Sequence, residues 1–275
     1  MAGTSPAPRV APEILRFYGT DFDEATRLTG TADGRLELVR TRELPRRQLP
    51  GTPADVLDVG GGPGAHAAWL VGDGYRVHVV DPVPRHVEAA SDTGATAERG
   101  DARALPVADA SYDVALVLGP LYHLLERDDR DRALAEARRV TRPGGLVAAA
   151  AIGRYASAFE HTATTLLAKD RVHDAVRDIR ATGRHDPGRK GFTAAYFHTA
   201  AKLEGELRDA GLGDVTVYGV EGPGWGQVKA VEQHGGGPMA ADHPVFEAAL
   251  RAARLAEGHP ELLAAASHLL AVARR

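Results

Sequence analysis

Cysteine is absent from all 275 residues, which excludes disulfides, thiolate nucleophiles and cysteine-ligated zinc. Long apolar runs are absent too. The longest, Leu146–Ile152, has seven residues, far short of the ~20 needed to cross a bilayer, so a transmembrane span is excluded. No charge of one sign dominates: 33 basic residues stand against 37 acidic ones, a net of −4, without a basic tail or stripe. Such a surface gives no electrostatic reason to hold a nucleic-acid backbone. Lysine supplies only 4 of those 33 basic residues and alanine is abundant, which we attribute to codon bias in a GC-rich genome. Met1–Arg9 has no apolar stretch behind a basic one, so we expect no secretory leader and a cytoplasmic location. No repeat of 20–50 residues is present, which excludes solenoids and propellers. What remains is 44% hydrophobic and 25% charged, a globular composition, in a length suited to one large domain or two small ones.

Short apolar segments alternate with polar helical patterns, the signature of a parallel sheet covered on both faces. The strand candidates are Asp55–Val59, Arg76–Asp81, Thr96–Asp101, Tyr112–Gly119, Leu146–Ile152, Asp214–Val220 and His268–Ala273. Helices are expected over Ala65–Val71, Arg85–Ala90, Arg130–Val140 and Thr199–Ala210. The third of these carries Ala133, Leu134, Ala137 and Val140 on one stripe and stops before Pro143-Gly144-Gly145. Two stretches break the alternation. Residues 1–52 form an N-terminal segment, expected to be helical around Arg35–Glu43 and interrupted by Pro45. Residues 153–198 make an insertion too long for an ordinary connection, expected to be a helical cap because Val172, Val176 and Ile179 recur at helical spacing.

The densest chemical signal is Asp58-Val59-Gly60-Gly61-Gly62-Pro63-Gly64, where a strand empties into a glycine-rich turn that opens a helix. Glycine there tolerates positive φ and lets a ligand lie against the backbone, while the helix N-terminus offers unpaired amides. Gly60-x-Gly62-x-x-Ala65, with Asp81 ending the second strand, also satisfies the dinucleotide fingerprint, so the glycines alone leave the cofactor open. Three features separate the alternatives. Asp58 precedes the glycines by one residue, Asp101 ends the third strand as Gly100-Asp101-Ala102, and the chain closes on an apolar strand without opening into a second domain.

With these features the sequence resembles the class I S-adenosylmethionine-dependent methyltransferases. Asp58–Gly64 resembles that family's first motif, Asp81 its ribose acid, Gly100–Ala102 its adenine clamp and Arg142–Leu146 the turn after its fourth helix. Leu118–His123, Tyr196–His198 and Glu221–Trp225 are similar to segments of a recurrent bacterial subgroup. The resemblance implies an α/β fold with a Rossmann-like seven-stranded sheet flanked by helices, its last strand antiparallel. It divides the chain into an N-terminal helical segment (1–52), a cofactor-binding core (53–152), the cap insertion (153–198) and the rest of the core (199–275). It implies S-adenosyl-L-methionine as cofactor. Gly60, Gly62 and Gly64 would line the methionine part with Asp58 orienting the turn, Asp81 would accept from the ribose hydroxyls, Asp101 and the Ala102 amide would read adenine, and Leu118 would pass beneath the sulfonium. Arg40, assisted by Tyr18, would pair with the methionyl carboxylate.

The expected reaction is in-line methyl transfer to the oxygen or nitrogen of a small molecule, with no nucleic-acid or membrane partner. The alternatives are non-methyl chemistry on the same cofactor, such as elimination or cyclisation, and a non-catalytic cofactor sensor. A base working near neutral pH is most naturally histidine, and His123 lies just past the fourth strand, where open α/β sheets bind ligands. His123 and its neighbour Tyr122 are therefore the catalytic candidates. His185, Tyr196, His198 and Trp225 are candidates for the substrate pocket. No ligand spacing points to a metal.

Overall fold

In the computed structural model, residues 10–186 and 192–275 are described. The first nine residues of the N-terminal segment, where a secretory leader would begin, and residues 187–191 of the insertion lie outside them. The N-terminal segment contributes α1 (Pro12–Arg16), α2 (Glu24–Gly30) and α3 (Ala32–Arg46). Thr31 caps α3 by accepting from the Gly34 amide at 3.1 Å. Pro45 sits inside the last turn of α3. Lacking an N–H, it cannot donate to the Thr41 carbonyl, and the helix ends one residue later, so Pro45 marks the end of α3 rather than a break within it.

The core follows as β1 (Asp55–Val59), α4 (Ala65–Gly72), β2 (Arg76–Asp81), α5 (Pro84–Ser91), β3 (Thr96–Arg99), β4 (Tyr112–Val117), α6 (Arg127–Val140) and β5 (Thr141–Ile152). The insertion holds α7 (Ala156–Ala163), α8 (Asp170–Thr182) and a small hairpin of β6 (Arg184–His185) and β7 (Ala195–Tyr196). Then come α9 (Ala200–Asp209), β8 (Gly213–Gly219), α10 (Trp225–His234), α11 (Pro244–Ala256) and β9 (His268–Arg274). All seven expected strands lie in one sheet of order β3-β2-β1-β4-β5-β9-β8. β9 runs antiparallel to both its neighbours. Asp101 falls beyond β3 and pairs with Ala104 in an isolated bridge.

Side-chain alternation at period two sorts the core onto two faces. Leu57, Val59, Ala115, Val117, Val147 and Ala149 join Leu134 and Ala137 of α6 and Leu203 and Leu207 of α9. Val56, Val114, Leu116, Leu146 and Ala148 face the opposite way, onto Trp69 and Leu70 of α4 and Leu44 of α3. Each fully buried leucine or valine stabilises the fold by about 1.5–3 kcal/mol relative to exposure, and this two-sided burial explains why the strands read as apolar runs. α6 also matches its own dipole, with Asp128 and Asp129 in the first turn and Arg138 and Arg139 in the last. A third cluster joins α3 to α10 and α11 through Leu36, Trp225, Val228, Phe246 and Leu250.

Candidate functional site

Parallel strands that end on one edge must present their following loops there. At that edge a cavity of about 360 Å³ is lined by the loops after β1, β2, β3 and β4, by Ala150 of β5 and by His268, which opens the antiparallel β9. The N-terminal segment supplies much of the remaining wall through Ile14, Tyr18, Glu24, Arg27, Leu28 and Glu37. Of the insertion's described residues, Ala194 alone lines it. Among the described residues, the N-terminal segment, expected to share the cap with residues 153–198, supplies more of this wall than the insertion does.

The glycine loop is built around two acids. Gly60 has φ +66°, and a Cβ there would fall 2.7 Å from the Pro120 ring, so the loop can approach the β4 turn only as glycine. Asp58 is fully buried and lines the cavity, yet neither carboxylate oxygen has a partner among the described residues. Burial, reinforced by the Asp81 charge, pushes its carboxyl up to about 7. Asp81 accepts from the Gly62 amide at 3.0 Å on one oxygen. Its other oxygen takes the Val83 amide at 2.9 Å and His86 Nδ1 at 3.2 Å. It thus fastens the loop to the start of α5 and keeps an edge on the cavity. Asp101 is gripped by Arg103 through Nε at 2.9 Å and a terminal nitrogen at 2.7 Å, beside Ala102 on the same wall.

Tyr18, Asp58, Gly60, Gly62, Asp81, Asp101, Ala102, Leu118, Tyr122 and His123 all line this one cavity. Tyr18 Oη lies 2.9 Å from His123 Nε2, and Thr193 Oγ1 lies 3.2 Å from His123 Nδ1. Burial pushes His123 down to about 3, against an opposing backbone hydrogen bond at Ala194, and pushes the phenols of Tyr18 and Tyr122 up. His123 is therefore neutral and a poor proton acceptor.

Six expected site residues lie elsewhere. Gly64 has φ +90° and faces α5, where a Cβ would meet Ala90 Cα at 3.1 Å and Thr93 Cγ2 at 3.0 Å; it sets helix packing and does not touch the cavity. Arg40 is fully buried with its guanidinium consumed by Glu43, Glu257 and the Val220 carbonyl. His185 packs between Phe192 and Phe197. Tyr196 lies under the Arg130 guanidinium, 3.9 Å from its ring centre, with Lys202 and Arg154 on its hydroxyl. His198 is sealed beside Glu206 at 3.2 Å, and Trp225 donates to the Ala265 carbonyl at 2.8 Å inside the third cluster. Aromatic rings in the insertion read as pocket walls because a core ring and a pocket ring have the same sequence signature.

A charged chain at the cavity was missed. Arg27 Nε donates to Glu24 at 2.7 Å, and its two terminal nitrogens hold Glu37 at 2.7 and 3.0 Å. Glu37 reaches to 3.7 Å from His268 Nδ1, and Glu221 to 2.5 Å from the same atom. Burial resists ionising Glu37, but Arg27 and His268 outweigh it and hold the carboxyl below its ordinary range. Burial likewise opposes charge on His268, but Glu37 and Glu221 raise it to about 9. Glu37, Glu221 and His268 can each offer one ligand atom within 4.8 Å of the others. The signal for His268 was present, since a histidine opening an antiparallel closing strand must sit at the ligand edge. Arg27, in a short helix of no marked pattern, carried none.

Residues 57–149 match a family model described as a methyltransferase domain. An uncharacterized methyltransferase of Mycobacterium sp. (strain KMS) is 43% identical over 135 residues, 48% of each chain. One from Mycobacteroides abscessus is 36% identical over 143 residues, 50% of this chain and 49% of its own length. The chain thus aligns with about half the length of these curated relatives. Among solved structures, a SAM-dependent methyltransferase of Thermotoga maritima, described as a possible histamine N-methyltransferase, superposes with TM-score 0.57 at 18% identity. The match covers 95% of this chain and 98% of that one. A SAM-dependent methyltransferase of Methanosarcina mazei gives 0.55 at 16% identity, over 84% and 96%. Residues 57–149 thus match a methyltransferase domain, and the seven-stranded fold around them is the one these S-adenosylmethionine-dependent methyltransferase structures share.

Proposed function

We propose that the protein transfers a methyl group from S-adenosyl-L-methionine to an oxygen or nitrogen of a small-molecule acceptor. The observation that carries this reading is Asp58, a buried carboxylate on the wall of the cavity with no partner among the described residues. A buried anion without compensation costs several kcal/mol, and a cationic ligand such as the cofactor's ammonium group removes that cost. The other residues fit the same group. Gly60 and Gly62 leave backbone bare beneath the methionine part, Asp81 keeps acceptor capacity for ribose hydroxyls, and Asp101 with the Ala102 amide suits an adenine edge. Arg27, unlike Arg40, lines the cavity, and each of its terminal nitrogens keeps a second N–H beyond its bond to Glu37, so it can serve as the cation for the methionyl carboxylate, with Tyr18 beside it in the wall. When bound, the cofactor supplies an electrophilic methyl carbon on a sulfonium.

Tyr122 and His123 wall the acceptor's part of the cavity, where their buried, neutral side chains hold the nucleophile in line and keep water away. A small acceptor is favoured by the recessed position of the cavity and by a net charge of −4 in a sequence without a basic stripe. No helix among the described residues is long and apolar enough to cross a membrane. The test is an incubation with cofactor and a library of small phenols, acids and amines, followed by mass spectrometry. The expected result is S-adenosylhomocysteine in step with a product one methyl group heavier. Cofactor breakdown to other fragments, with no methylated product, would overturn the reading in favour of elimination or cyclisation.

A further inference from the structure

No role is yet assigned to a carboxylate–imidazole pair, Glu221 and His268, whose imidazole lines the cavity. Glu221, 1% exposed, follows β8 and gives both its oxygens to a single residue. One takes the His268 backbone amide at 2.9 Å and the other lies 2.5 Å from His268 Nδ1. Two contacts from one carboxylate fix the position and the tilt of the ring. Because a carboxylate only accepts, the proton of that bond belongs to Nδ1. The second ring nitrogen, Nε2, has no partner among the described residues, and the ring lines the cavity. A base oriented through one nitrogen by a buried acid, with the other nitrogen free toward a ligand, is the arrangement that activates nucleophiles on unrelated folds. His123 lacks it, since Tyr18 already occupies its Nε2.

We propose that His268, oriented by Glu221, is the catalytic residue that receives the acceptor's proton during methyl transfer. The inference rests on the methyltransferase reading of this cavity. In the step, a lone pair of the acceptor's oxygen or nitrogen bonds the methyl carbon while the carbon–sulfur bond breaks, its electron pair staying on sulfur. The acceptor's proton passes to neutral Nε2, and the resulting imidazolium later returns it to water. The charged groups facing His268 are Glu221 after β8, Glu37 of α3 at 3.7 Å, and Arg27 of α2, which holds Glu37 from the far side. The two acids outweigh burial and the Arg27 charge and set the ring near 9, so the neutral form grows as pH rises toward that value. A divalent cation on the same three residues would have to displace both the Nδ1 proton and the two-pronged grip of Arg27 on Glu37.

The experiment has three arms on the full chain. Calorimetry with S-adenosylhomocysteine tests the underlying reading, which fails by itself if no heat of binding is seen. An NMR titration of the His268 ring, assigned with His268→Gln, is expected to give a midpoint near 9 that falls toward 6.5 in Glu221→Gln. Rates on a panel of phenols and primary amines are expected to rise with pH through the same limb, to lose at least ~100-fold in kcat in His268→Gln, and to shift that limb downward in Glu221→Gln. A ring that titrates at its ordinary value, or turnover near wild type in His268→Gln with cofactor affinity intact, overturns the proposal. So does activity that needs an added divalent metal and vanishes with a chelator, which would make the trio a metal site.

Discussion

Asp58→Asn is the substitution from which the structure yields the most quantitative expectation. Asp58 is fully buried, both its oxygens lack partners among the described residues, and burial together with Asp81 lifts its carboxyl from 3.8 to about 7. A carboxyl whose folded value exceeds its unfolded one favours the folded state fully below pH 3.8. That contribution is lost as pH rises to about 7, and the loss is complete above it. At ~1.4 kcal/mol per pH unit, the interval amounts to about 4 kcal/mol. Asparagine removes the charge but leaves an amide in the same partnerless space, which returns about 1–3 kcal/mol of desolvation cost. The net expectation is a cofactor-free variant that is ~1–3 kcal/mol more stable than wild type at pH 8 and ~1–3 kcal/mol less stable at pH 4. Affinity for S-adenosylhomocysteine should fall by roughly 10–150-fold, the worth of a hydrogen bond to a charged group. Urea denaturation at a series of pH values measures the first effect and calorimetry the second. A variant whose stability declines with pH as wild type's does, or that is weaker at pH 8, refutes the view of Asp58 as an uncompensated buried acid.

Asp81→Ala removes the acceptor of the Gly62 and Val83 amides and the proposed ribose partner, and should weaken cofactor binding by about 1.5–3 kcal/mol in calorimetry; unchanged affinity contradicts the ribose assignment. Gly64→Ala forces a side chain into φ +90° against Ala90 and Thr93, which should cost about 1–3 kcal/mol in thermal or urea unfolding, while cofactor affinity of the folded variant stays near wild type. Trp225→Ala should lose about 3–5 kcal/mol of stability with KM unchanged for any acceptor found. A selective rise in KM at undiminished stability would return Trp225 to the pocket.

The centre of the sheet was legible because its strands are buried on both faces, whereas the edge strands β3 and β8 are exposed or only partly buried over most of their length. Val56, Leu57, Val114, Ala115 and Leu116 leave no polar position to mistake for a loop, and only the strand ends moved. The cofactor side was legible for a related reason. Asp58, the glycines, Asp81 and Asp101 lie at fixed offsets from strand ends, so chain order alone places them at one edge. The acceptor side depends on contacts between residues far apart in sequence, which spacing does not encode. Arg40 and Arg27 occupy neighbouring helices of one N-terminal segment, and only packing decides that the first is swallowed by Glu43 and Glu257 while the second meets the cavity. Tyr196 and His198 look like ligand-binding residues in sequence, yet serve the buried Arg130–Glu206 pair. The chain from Arg27 through Glu37 to His268 joins positions more than two hundred residues apart, beyond the reach of any local pattern.

Everything on the functional side depends on whether this cavity receives an adenosyl sulfonium or its demethylated product. Isothermal titration of the purified protein with S-adenosylmethionine and S-adenosylhomocysteine, with a nicotinamide dinucleotide as control, addresses this without knowledge of the acceptor. Saturable one-site binding of both adenosyl compounds, weakened by Asp81→Ala and absent for the dinucleotide, is the result predicted. Binding of the dinucleotide alone, or of none of the three by a folded protein, contradicts it.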